Sequence, residues 1–159
     1  MNDQHRDIDI NEMWRAESCP ILNGIIFPDG RVREVHIRSD RVNGKNSTPI
    51  IQRGNWTRLI DLNAAKPLQT TGLISLCEAT DESRNLCVQG GEGGLGGDGF
   101  VAALKLDTGN LLWIAFFTES NPFVSIELYE NEVLSLTNHG TCWRFPLRSP
   151  EDVGFQREC

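Results

Sequence analysis

The chain has 159 residues, 39% hydrophobic and 23% charged, with a net charge of −7. That length and composition suit a globular domain with a real core and exclude an intrinsically disordered chain. No apolar run approaches the roughly 20 residues of a membrane helix. The charge is uneven: residues 1–79 hold ten acidic and ten basic side chains, and residues 80–159 hold twelve and five, so the excess lies in the second half. A surface of that sign repels phosphate and anionic lipid, which argues against nucleic acid and membrane and favours a basic protein partner.

Met1 to Asn11 is polar and lacks the basic and apolar regions of a secretory signal. Ile8, Ile10, Met13 and Trp14 suggest an arm or short helix within residues 1–20 that docks one aromatic ring. A single β-rich domain is expected over residues 21–159. Gly24 to Phe27, the turn Pro28-Asp29-Gly30 and Arg31 to Arg38 read as strand, turn and strand, since proline presets φ and glycine accepts positive φ. Residues 39–55 read as a long polar connection with Ile50 and Ile51 tucked in. Trp56 to Leu62 is expected to be a strand, and Asn63 to Pro67 a short turn.

Gly72 to Cys77 and Asn85 to Val88 are expected to form a hairpin across Asp81-Glu82-Ser83-Arg84. Phe100 to Leu106, the turn Asp107-Thr108-Gly109-Asn110 and Leu111 to Phe117 follow; the last strand is apolar on both faces and therefore belongs between layers. From Phe123 to Glu130 the alternation assigns Val124, Ile126 and Leu128 to one face and Ser125, Glu127 and Tyr129 to the other. Asn131-Glu132 turns the chain into Val133 to Thr137, and Thr141 to Leu147 puts Trp143, Phe145 and Leu147 on one face. Ser149-Pro150-Glu151-Asp152 opens a helical turn. The fold class is thus mainly β, an antiparallel meander forming a twisted sheet or two packed sheets, with little helix.

Gln89 to Gly99 has seven glycines in eleven positions. Gly91, Gly93 and Gly96 satisfy the phosphate-cradling spacing, with Glu119 beyond them, yet a strand rather than a helix is expected next and Glu92 and Asp98 would repel the anion. A close-packed loop is the preferred reading. His139 and Cys142 lack a second ligand pair, so no metal site is expected. Cys19, Cys77, Cys87, Cys142 and Cys159 are odd in number and scattered, which favours reduced thiols, no disulfide framework and a cytoplasmic location. No nucleophile elbow occurs, and the paired carboxylates flank turns, so neither catalysis nor a cofactor is expected.

Ala103-Leu104-Lys105-Leu106-Asp107-Thr108-Gly109-Asn110-Leu111-Leu112-Trp113 resembles one blade motif of quinoprotein-type β-propellers, with Lys105 where that family has aspartate. The likeness implies a Thr-Gly hairpin with its tryptophan packed under the sheet; a single motif cannot make a propeller. Gly99 to Ala102, Leu112 to Phe117, Ser120 to Phe123 and Trp143 to Leu147 are similar to segments of immunity proteins of bacterial contact-dependent and other polymorphic toxin systems. That resemblance, over roughly residues 97–150, implies a stoichiometric inhibitor of a toxin domain such as a basic nuclease. Charge and strand parity then place the partner contacts at Glu119, Glu127, Tyr129, Glu130 and Glu132. The alternatives are an interaction module without a toxin and a small-molecule enzyme with the glycine-rich loop over its pocket.

Overall fold

The computed structural model describes residues 8–159 apart from 39–40, 43–44 and 47–48. It comprises α1 (Ile10–Arg15), β1 (Ser18–Pro20), β2 (Gly24–Ile26), β3 (Arg31–Arg38), β4 (Arg41–Val42), β5 (Lys45–Asn46), β6 (Ile50–Arg58) and α2 (Leu59–Ala65). Then follow β7 (Thr70–Gly72), β8 (Ile74–Asp81), β9 (Leu86–Glu92), β10 (Gly99–Lys105), β11 (Leu111–Phe117), β12 (Phe123–Leu128), β13 (Glu132–Thr137), β14 (Cys142–Pro146) and β15 (Gly154–Gln156). Among the described residues no helix is long and apolar enough to cross a membrane.

Two antiparallel sheets carry the fold. The larger has seven strands in the order β6-β3-β2-β11-β10-β9-β8 and is not closed into a barrel; the smaller is the meander β12-β13-β14-β15. The expected meander is therefore split, because the chain leaves the first sheet after β11 and starts the second at β12. One core lies between the sheets: Ile25, Val101, Trp113 and Phe117 meet Phe123, Val133, Trp143 and Phe145. Their rings interlock, Phe117 and Trp143 with centroids 4.7 Å apart and Trp113 stacked on Phe145 at 5.8 Å. A second core covers the other face of the large sheet, where Phe100, Ile114 and Phe116 pack beneath Ile10, Leu59 and Leu73. Strands β10 and β11 are thus sandwiched, which explains the doubly apolar run Leu111 to Phe117.

The N-terminal segment is built into this second layer. Asp9 caps α1 by accepting from the amides of Asn11 and Glu12, and Trp14 lies edge-on to Phe100 at 5.8 Å. β1 pairs with β7.

Four local expectations are corrected. The strand expected over Trp56 to Leu62 ends at Arg58, where α2 begins: Leu59 and Leu62 fall three apart on one apolar helix face, and Pro67 stops the helix. The described end of the expected connection, from Ile50 onward, belongs to β6. Val124 does not share a face with Ile126 and Leu128, because a bulge between Phe123 and Ser125 turns it outward, 41% exposed, and Phe123 takes the core position. Finally, Cys142 and Cys159 form a disulfide with Cα atoms 5.5 Å apart, while Cys19, Cys77 and Cys87 are free. The cysteine argument for a reducing compartment accordingly falls away.

Candidate functional site

The hairpin between β12 and β13 is the acidic end of the molecule. Period-two alternation sends Glu127 and Tyr129 outward while Ile126 and Leu128 pack on the inter-sheet core. The Tyr129 hydroxyl donates to Glu127 Oε2 at 2.8 Å. That hydrogen bond and the Glu127 charge push the phenol's pKa up. The Tyr129 amide donates to the Glu132 carbonyl at 2.9 Å and closes the turn. Glu130 is exposed, and neither Glu127 nor Glu130 forms an ion pair among the described residues.

A neighbouring turn braces this end. The Arg84 guanidinium donates to the carbonyls of Glu130 and Tyr129 at 2.6 and 3.1 Å, and also to Asp81 Oδ2 at 2.7 Å. The Ser83 hydroxyl donates to Asp81 as well, and with Arg84 it holds the Asp81 carboxyl down to about 2. The β8–β9 turn therefore adds exposed Glu82 to the acidic end. Sequence reasoning placed Asp81 and Glu82 in a turn without linking them to the hairpin; only the fold brings the two turns together.

Of the five residues expected to contact a partner, the structure gathers Glu127, Tyr129, Glu130 and Glu132. Glu119 stands apart, in the connection before β12, at the opposite end of a six-residue strand. Strand rise puts about 20 Å between the two. Glu132 differs from its neighbours in being half-buried and paired with Arg144 at 3.2 Å.

The glycine-rich segment has a structural account. Its first part, through Glu92, continues β9, and the remainder folds around the fully buried Asp98. Asp98 accepts from the amides of Gly93 at 3.1 Å and Leu95 at 3.2 Å, and Thr71 Oγ1 accepts from Gly94 at 2.8 Å. A Cβ at Gly93 would overlap the Asp98 carboxylate, and one at Gly99 would overlap the Asn121 carbonyl. Close packing thus dictates Gly93 and Gly99, and the Gly93, Gly94 and Leu95 amides are engaged within the protein.

A cavity of about 460 Å³ opens between α1 and the uncovered part of the large sheet, lined by Trp14, Arg15, Glu17, Gln89, Phe100 and Leu104 among others. Cys19 and Cys87 lie in the core beneath that layer. Burial, reinforced by Asp98, pushes the Cys19 thiol far up, and burial raises Cys87, so both are poor nucleophiles. Among the described residues no three His, Cys, Asp or Glu side chains cluster as metal ligands. No family model and no curated protein matches the chain.

Proposed function

We propose that this chain is a stoichiometric binding protein of the immunity-protein kind, whose acidic end covers a basic toxin domain. The observation carrying this reading is the pair of unneutralised carboxylates, Glu127 and Glu130, on a turn braced by Arg84 and flanked by Tyr129. Fixed charges on a rigid turn steer an oppositely charged partner, and a tyrosine among them supplies an aromatic anchor of low entropic cost. Glu82 extends the same surface. Glu119 belongs to another part of the molecule and drops from the contact set.

The test is affinity capture from the host followed by growth rescue with the captured or neighbouring toxin domain. Wild-type protein should rescue stoichiometrically. E127K/E130K should rescue poorly and slow association about tenfold at low salt. Equal rescue by the reversed variant would remove the site, and rescue by substoichiometric protein would replace binding with turnover.

A further inference from the structure

The far edge of the large sheet has the opposite chemistry. In β3 and β6 Arg31 stands directly across from Arg58, and Arg33 across from Trp56. Like charges opposite one another on neighbouring strands repel, so this arrangement needs compensation. Arg31 receives it from Asp29 at 2.7 Å and from the rings of Phe27 and Trp56, at 5.1 and 5.6 Å. Arg33 lies 5.4 Å from the Trp56 ring, and its Nε is buried without a hydrogen-bond partner among the described residues. Arg58 is exposed and forms no ion pair among the described residues. Trp56 itself is 44% exposed.

A cleft of about 570 Å³ is lined by Arg31, Trp56, Thr57, Arg58 and Asp61. Arg31, Trp56 and Arg58 share one face of the sheet, so the cleft opens on that face, over the edge strand β6 and its neighbour β3. That edge is open: β6 pairs with β3 on one side and with no other strand among the described residues. A bulge opposite Arg33 and Val35 sets Trp56 to Arg58 apart from the first half of β6.

We infer that the edge of β6 at Trp56 to Arg58 is a docking surface for an extended acidic segment of a partner protein. The segment adds its backbone to the strand edge and sets one carboxylate beside Arg58, at the open end of the Arg31–Arg58 row, and its next residue on that face beside Trp56. An edge strand is open to any extended chain, and the arginines make it selective: they repel basic strands and leave a neutral strand to desolvate charge without return. An acidic strand extends the Arg31–Arg58 row as favourable cross-strand pairs and covers the Trp56 ring. This site stands independently of the acidic hairpin.

Fluorescence anisotropy with a labelled Glu-Thr alternating octapeptide tests it, beside three competitors: the Lys-Thr peptide, the Glu-Thr peptide methylated at alternate backbone nitrogens, and a thymidine oligonucleotide of equal length. The Glu-Thr peptide should bind, the Lys-Thr peptide should not, and methylation should weaken binding about tenfold. R58E should weaken it about tenfold, or R58Q severalfold should R58E fail to fold, and D61N should tighten it by removing the cleft's own carboxylate. Equal binding of the methylated peptide, tighter binding of the oligonucleotide, or indifference to R58E and R58Q would each overturn the inference. So would sedimentation showing a dimer that R58Q dissociates and the peptide does not, since the edge would then belong to a second copy.

Discussion

Asp98 is the residue on which the glycine-rich segment closes. Its carboxylate accepts from the Gly93 and Leu95 amides inside the protein, so truncation leaves buried donors without acceptors. Each such loss costs about 1–3 kcal/mol, and Asp98→Ala should destabilise by about 3 kcal/mol in urea unfolding, more than Asp98→Asn, which keeps one acceptor. A cost below about 1 kcal/mol would mean that the loop holds itself. Asp81 gives a second residue-scale expectation. Its folded pKa of about 2 lies below the unfolded carboxylate value of roughly 3.9, so its contribution is complete above that unfolded value and fades as pH falls towards 2. Asp81→Asn should flatten the fall in melting temperature across that window; an unchanged profile would assign the acid sensitivity elsewhere. The glycines and the turn carboxylates were both legible in the sequence. Their partners were not, because pattern alone cannot say which acceptor lies across a fold from a given amide.

At the scale of elements, alternation recovered what burial dictates. Leu111 to Phe117 emerged with its sandwiched position, and Trp143, Phe145 and Leu147 share the core face as their spacing required. Failures came where a single residue breaks the period. The bulge at Val124 inverts one position of β12, and Arg58 marks a switch from period two to helical spacing that seven residues of mixed polarity do not resolve. The disulfide belongs to this scale as well, since it fastens a three-residue edge strand. β15 lies beside β14 with Phe155 edge-on to Trp143 at 4.7 Å, and Cys159 ties the chain end to Cys142 across a separation of 17 residues. A loop of that length is stabilised by about 3 kcal/mol through restriction of the unfolded chain. Cys159→Ser should therefore lower unfolding stability by about that amount, and dithiothreitol should lower the wild-type melting temperature while leaving the variant's unchanged. If reductant shifts both alike, the bridge is not what it acts on.

For the whole molecule, the net charge of −7 conceals a polarity. Half the chain supplies the acidic end, where the β12–β13 turn is braced by Arg84 from the β8–β9 turn, and the balanced first half supplies the arginines of β3 and β6. In the seven-stranded order β8 and β6 are opposite edges, six strand spacings apart, or about 29 Å along the sheet. Screening decides whether the poles sense each other. At physiological salt the Debye length is about 8 Å and they are independent; at 0.01 M it is about 30 Å, comparable with their separation. E127K/E130K raises the molecular charge by about four without touching the β6 edge, so it should leave the affinity for an acidic octapeptide unchanged at about 0.15 M salt and tighten it severalfold at about 0.01 M. Tightening that persists at physiological salt would mean the hairpin contacts the peptide itself, merging the two surfaces into one. No change at either ionic strength would mean the peptide is held by backbone pairing with little help from charge, and the arginine row would need another explanation.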